Sequence, residues 1–272
     1  MSAATRERPA ASSPLLELVD TTVRFGGITA VNDFSLSIPK GMIAGLIGPN
    51  GAGKTTVFNI VTGFYQPASG DILFGGESLL GMAPHNICKK GIARTFQNIR
   101  LFQTETVLKN VLVGAHVRQK SHWWMPAVMW PSSLAEERAI RKEAMELLEC
   151  LELAAVADMT AGSLPYGAQR RLEIARALAT RPRFLLLDEP AAGMNPQESN
   201  TLLELIKRIR DDFDLTILLI EHDMKVVMGV CERIWVLEYG TCIADGAPEQ
   251  IRNDRRVIEA YLGEEFVNNA QN

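Results

Sequence analysis

The chain has 272 residues, 47% of them hydrophobic and 22% charged, with a formal net charge of −4 and a pI near 5.7. Such a chain is large enough for one big domain or a core with a subdomain, and its acidic balance excludes general affinity for nucleic acid or anionic lipid, both of which reward positive charge. Cys88, Cys150, Cys231 and Cys242 show no CxxC or short Cys/His spacing, which fits reduced thiols in a cytosolic protein better than a disulfide frame or a zinc site.

Residues 1–14, MSAATRERPAASSP, read as a flexible Ala/Ser/Pro-rich lead without the apolar centre of an export signal. From Leu15 to Phe25 and from Val31 to Ile38, alternating and β-branched residues around Gly26-Gly27 predict two antiparallel strands. MIAGLIG, apolar on both faces, reads as a central buried strand, and a helix follows over about Lys54 to Thr62. GDILFGGESL reads as a short strand and turn, and GIARTFQ as a strand ending in a polar loop.

Helical patterns replace strands over about 103–162. Ile140, Ala144, Leu147, Leu148 and Leu151 recur at three- and four-residue steps, and Ser133 with Glu136 suggests a capping box. Beyond it, a helix to about Thr180, the strand RFLLLDE, a helix from Pro196, the strand LTILLIEH, another helix, the strands RIWVLEYG and TCIADG and a short helical tail alternate. That alternation predicts an α/β fold, a mostly parallel sheet covered by helices, with an N-terminal antiparallel β layer and an inserted α-helical subdomain. No apolar run approaches the ~20 residues that cross a bilayer, so any membrane role is expected to come through a partner.

GPNGAGKTT, from Gly48 through Pro49, Asn50, Gly51, Ala52, Gly53, Lys54 and Thr55 to Thr56, matches GxxxxGK[ST] between a buried strand and a helix. Its glycines let successive N–H groups and a helix N-terminus converge on one anion. In such a phosphate loop Lys54 is expected to bridge the β- and γ-phosphates of ATP, and Thr55 to ligate Mg²⁺. FLLLDE places Asp188 and Glu189 at the end of a buried strand, where ligands of parallel sheets bind. A strand meeting solvent would often end this way; beside a phosphate loop, Asp188 is expected in the Mg²⁺ shell and Glu189 as the general base for water.

The order of these motifs resembles the nucleotide-binding subunit of ATP-binding cassette transporters over about residues 15–263, leaving 264–272 as a flexible tail. The resemblance implies a P-loop NTPase core. It also implies that Gln97 of RTFQ is a lid-loop glutamine that contacts Mg²⁺ or the water and senses a transmembrane partner. His222 of IEHDM would be the switch histidine that contacts the γ-phosphate, and Phe25, 29 residues before Lys54, the aromatic on which adenine stacks. PAAGMNP occupies the place of the D-loop that crosses between two cassettes, with Asn195 where an aspartate is common, so contact there would lack a strong ionic component.

SLPYGAQRRLEIARAL resembles the family's LSGGQ signature and helix, which bind the γ-phosphate held by the opposite cassette. The aligned residues are Leu164, Pro165, Tyr166, Gly167 and Ala168, and Pro165 offers neither a hydroxyl nor an N–H. Losing a hydrogen bond to a charged group costs about 1.5–3 kcal/mol, so the site it completes is weakened rather than abolished. Equally, Pro165 serves simply to start a helix. A homodimer would carry two weakened sites; a heterodimer would have one weakened and one complete.

The wording from LPYGAQRRLEIARAL through DEPAAGMNP to AYLGE resembles one of two unlike ATPase subunits of bacterial branched-chain amino-acid importers, which favours the heterodimer. It implies a second ATPase, two permease subunits, a periplasmic binding protein and a place at the cytoplasmic face of the plasma membrane. ATPases of related importers for urea or amides, and soluble cassette proteins in repair or translation, are the other readings. The latter usually carry two cassettes or long coiled coils, against one phosphate loop and no sustained heptads here. Three tryptophans in SHWWMPAVMW, 121–130, would either pack under the helical subdomain or meet a permease.

Overall fold

A computed structural model describes residues 14–118, 131–222 and 224–261, with the side chains of 131–134 left aside. Residues 1–13 of the leader, the Trp-rich segment and the tail anticipated above lie outside the described residues, while Pro14, counted there in the leader, opens the first strand. Ten strands and eight α-helices order the rest, followed by helical residues 255–261.

Strands β1 (Pro14–Phe25) and β2 (Ile28–Pro39) form the expected hairpin, with β2 beginning before Val31 because the turn closes on Gly26 at φ +56°. They join β4 (Ser69–Phe74) and the two-residue β5 (Glu77–Ser78) in an antiparallel sheet of order β2-β1-β4-β5. The second sheet has the order β10-β9-β3-β8-β7-β6. In it β3 (Ile43–Ile47), β8 (Thr216–Ile220), β7 (Phe184–Asp188) and β6 (Ile92–Arg94) run parallel, as does β9 (Arg233–Glu238). Only β10 (Thr241–Gly246) pairs antiparallel.

The central strands are buried throughout, and their alternation sorts two cores. Ile43, Ile47, Leu185, Leu187, Ile217 and Leu219 face one apolar cluster, shared with most of the helices. Ala44, Leu46, Phe184, Leu186, Leu218 and Ile220 face the other, closed by α1 (Lys54–Val61) and the antiparallel sheet.

The helical layer contains α3 (Val107–Ala115), α4 (Pro131–Cys150) and α5 (Tyr166–Leu178), which packs on α3 and so carries that layer beyond residue 162. Ser133 does not stand at the start of the helix as anticipated: the backbone of α4 is already helical at Pro131. A short helix, α2 (Pro84–Lys89), was not anticipated from the sequence. The remaining helices are α6 (Pro196–Asp212), α7 (Met224–Val230) and α8 (Pro248–Asn253).

Candidate functional site

Parallel strands deliver their C-terminal ends to one edge of the sheet, which gathers residues far apart in sequence. Leu46, Ile220 and Asp188 lie level in register across β3, β8 and β7. One step beyond each strand therefore come the glycine-rich loop, Glu221-His222 and Glu189. From β6 the chain runs on to Gln97.

The loop after β3 is wedged between β2 and the β9–β10 turn. Gly48, at φ +147°, has no room for a side chain, since a Cβ would lie 2.0 Å from the Leu237 carbonyl oxygen. Gly53, at φ +103°, would place one 2.5 Å from the Ala30 carbonyl oxygen, and it is the N-cap of α1, whose start no side chain caps. Those first-turn N–H groups are thus left to an anion. Lys54 is buried, and its Nζ donates to the carbonyl oxygens of Gly48 at 2.6 Å and Pro49 at 2.8 Å, curling the loop round its own ammonium. Thr55 is exposed at the same helix start.

Strand β7 ends at Asp188, one residue earlier than the sequence suggested. Glu189 turns into the left-handed region at φ +45°, a costly conformation for a residue with a Cβ, while its N–H still donates to the Ile220 carbonyl at 3.0 Å. The consequence is that the two adjacent carboxylates diverge. Asp188 stays buried and pairs with Arg94 of β6 at 2.7 Å, both side chains under a tenth exposed. Glu189 instead accepts from Gln97 Nε2 at 2.9 Å and lies 3.8 Å from His222 Nδ1. Gln97, Glu189 and His222, 125 residues apart at the extremes, thus meet at one carboxylate oxygen.

Three members of this edge escaped the sequence reading. Arg94 also donates to Asn59 Oδ1 on α1 at 2.7 Å and lies over the rings of Phe58 and Phe96. It therefore ties the acid strand to the phosphate-loop helix. Glu221 is buried, accepts from the Ala191 N–H at 3.0 Å and lies 3.9 Å from His222 Nδ1; burial pushes its carboxyl above the ordinary 4.5. Its signal was a charge closing an apolar strand, as with Asp188. Tyr65 meets the ring of Phe25 edge-on at 5.0 Å. Both rings are partly exposed on the hairpin side of the loop.

The signature segment belongs to a different surface. Pro165 is the N-cap of α5 and supplies no side-chain cap, with Tyr166 the first helical residue. Tyr166 lays its ring against Gly193, whose Cβ would lie 3.7 Å away, and its hydroxyl accepts from Arg170 at 3.3 Å. Gly167 is open, with only the Met194 methyl within 4 Å of a Cβ. Asn195 is committed locally: it caps α6, accepting from the Glu198 N–H at 2.9 Å in a capping box.

Among the described residues, no cluster of His, Cys, Asp and Glu forms a cage for a metal ion. The hydroxyl of Thr55 and the carboxylate of Asp188, one of whose oxygens is taken by Arg94, are instead a sparse oxygen donor set. That fits Mg²⁺, which keeps several waters and completes its shell with substrate phosphates.

Comparison with known proteins places this geometry in context. Residues 31–192 match the family described as ABC transporter, and residues 241–267 match the one described as Branched-chain amino acid ATP-binding cassette transporter. The chain is 49% identical over 253 residues to the high-affinity branched-chain amino acid transport ATP-binding protein BraF of Pseudomonas aeruginosa, covering 93% of this chain and 99% of that one. It resembles the ADP conformation of MJ1267, an ATP-binding cassette of an ABC transporter, with a TM-score of 0.82 at 30% identity, over 93% of this chain and 100% of the other. A dimeric, post-hydrolysis structure of the cassette MJ0796 bound to ADP and Pi matches with a TM-score of 0.72 at 26% identity, over 86% and 98% of the two chains.

Proposed function

Since the chain belongs to the ATP-binding cassette family of transporter ATPases, we propose that it is one of two unlike subunits powering a membrane importer of branched-chain amino acids. As a member of that family it binds nucleotide, hydrolyses ATP, and works in a dimer with permease subunits. The observation that carries the substrate assignment is the near-complete match to BraF, extended by the C-terminal match over 241–267. A periplasmic binding protein feeds the permease on this reading, and the ATPase sits at the cytoplasmic face of the membrane. No helix among the described residues is long and apolar enough to cross it.

In this reading Gly48–Thr56 cradle the phosphates, and Lys54 exchanges the loop carbonyls for the β- and γ-phosphate oxygens. Thr55 and Asp188 hold Mg²⁺, which neutralises developing charge on the phosphates when bound. Glu189 takes a proton from the attacking water. The Gln97 amide orients its carboxylate at 2.9 Å, and His222, at 3.8 Å from the same oxygen, faces the γ-phosphate. Phe25, backed by Tyr65, stacks on adenine. Leu164–Ala168 face the phosphate of the second ATPase, with Pro165 making that the weaker of two sites.

The permease docks in the apolar groove of about 370 Å³ beside the Gln97 loop, lined by Phe64, Ile87, Phe96, Phe102, Val113 and Arg176. Phe64, Phe102 and Val113 are each more than 40% exposed there, and Phe96 and Phe102 flank Gln97 in the same loop.

The test is a tagged pull-down from membranes followed by uptake assays with leucine, isoleucine and valine against urea, amides and other amino acids. Recovery of two integral-membrane proteins and a second ATPase, with branched-chain uptake lost on deletion, is expected. Loss of urea or amide uptake alone would replace the substrate assignment, and recovery of only one kind of ATPase chain would replace the heterodimer.

A further inference from the structure

The largest fully buried side chain among the described residues is an arginine. Arg170 lies one turn into α5 with no solvent exposure, paired at 2.8 Å with Glu173, itself 1% exposed. A buried pair of this kind seldom adds much stability over apolar residues of equal volume.

The hydrogen bonds of the pair all lead to functional segments. Arg170 Nη1 donates to the Phe96 carbonyl at 2.6 Å, and Nη2 to the Gln97 carbonyl at 2.8 Å. Glu173 Oε1 accepts from the Phe96 N–H at 3.3 Å. The pair thus clips the backbone of the Gln97 loop from both polarities, donor to carbonyl and acceptor to N–H. Nη2 also reaches the Tyr166 hydroxyl at 3.3 Å and, more weakly, the Glu189 carbonyl at 3.5 Å. Two turns further along α5, Arg176 donates to the Arg100 carbonyl and lies over the Phe102 ring. The loop from 96 to 102 is therefore laced to one face of α5.

We propose that Arg170 and Glu173 are positioning residues that make the Gln97 loop and the start of α5 one mechanical unit. A displacement of the loop by a partner is then transmitted to Tyr166 and Gly167 at the helix start without passing through the nucleotide. Geometry explains why an arginine is needed: its planar fork spans two successive carbonyls and the tyrosine hydroxyl at once, which a lysine ammonium on a single point cannot. Tyr166 takes part by offering its hydroxyl, so the residue that replaces a signature glycine is also the end of the brace.

The coupling role for turnover rests on the transporter reading above; the mechanical unit does not. Removing one partner alone would strand a buried charge, so the informative variant is Arg170→Met together with Glu173→Met, which deletes both charges at similar volume. In the isolated full chain, hydrogen exchange should show residues 95–98 at least tenfold less protected in the double variant, with ATP affinity within about threefold of wild type because the phosphate loop is untouched. In the assembled complex with its second ATPase and permease, in proteoliposomes, the ratio of ATPase activity with leucine-loaded binding protein to that without it should fall at least fivefold, whatever the change in the unstimulated rate. Unchanged exchange over 95–98, or an undiminished ratio in the double variant, would overturn the brace. If leucine fails to stimulate even the wild-type complex, the substrate assignment falls, and the exchange result alone decides the brace.

Discussion

Replacing Glu189 by glutamine tests the centre of the proposed chemistry. The backbone at 189 is left-handed at φ +45°, a strain of about 1–3 kcal/mol that Glu and Gln bear alike, so folding stability should not separate them. Gln keeps the volume and one carbonyl oxygen to accept the Gln97 amide, which in the wild type donates at 2.9 Å. What it loses is basicity. A positioned general base contributes roughly 10²–10⁴-fold, equivalent to about 2.7–5.5 kcal/mol of barrier. On the proposed reading nucleotide affinity resides in the loop around Lys54 and the start of α1, neither of which this side chain touches in the contacts described. Steady-state ATP hydrolysis with Mg²⁺ should therefore drop by a hundredfold or more, while binding of a fluorescent ATP analogue stays within about threefold, a shift of under 1 kcal/mol. Turnover within tenfold of wild type would refute the assignment of Glu189 as base, and a large loss of affinity would mean that the carboxylate supports the loop instead.

Further outcomes are expected elsewhere. Arg94→Met strands the buried Asp188 carboxylate and should lower the free energy of unfolding by about 3–5 kcal/mol in denaturant titration; a loss under 1 kcal/mol would show that the pair is not what holds Asp188. Glu221, raised above 4.5 by burial, keeps a proton in the folded state that the unfolded chain releases, so its contribution is present below 4.5 and is lost as pH rises through the folded value. Melting temperatures of Glu221→Gln relative to wild type should accordingly improve as pH rises from 4.5 through the folded value and then level off, and a pH-independent difference would contradict the shift. Pro165→Ser restores a hydroxyl worth about 1.5–3 kcal/mol to a charged partner; if the other site carries turnover, ATPase activity of the assembled complex changes less than twofold, whereas a tenfold rise would exclude the asymmetry. Phe102→Asp, a charge in the groove beside the Gln97 loop, should reduce permease recovery in pull-downs at least fivefold without altering nucleotide affinity. Unchanged recovery would move the docking surface elsewhere.

The phosphate loop was legible in the sequence because part of its constraint is local: positive-φ glycines at 48, 51 and 53 and the lysine at a fixed spacing between one strand and one helix. That Leu237 and Ala30 also crowd Gly48 and Gly53 is a tertiary constraint which the spacing does not show. The central strands were equally plain, since Ile43–Ile47, Phe184–Asp188 and Thr216–Ile220 bury both faces and leave unbroken apolar runs. Boundaries were less so: β7 stops at Asp188 because Glu189 adopts a left-handed turn that no propensity of glutamate announces. The helix start expected at Ser133 failed for a related reason, as a local pattern cannot show that the helix already runs through it.

What the sequence by itself determined is the inventory: an α/β nucleotide-binding chain with a phosphate loop, an acidic strand end and an altered signature. Tertiary structure alone decided which of these act together. Strand order puts the ends of β3, β8, β7 and β6 on one edge, so Gln97, Glu189 and His222 share an oxygen although their spacing carries no such information. It also gave Arg94 and Arg170 their places, one neutralising Asp188 and the other holding the Gln97 loop to α5. A buried arginine is tolerated only where carbonyls and carboxylates, most of them distant in sequence, replace the water it loses. In the linear chain, RTFQ and QRRLE stand as two separate motifs, the distance from Gln97 to Arg170 being 73 residues; folding joins them through the Arg170 and Glu173 hydrogen bonds to Phe96 and Gln97.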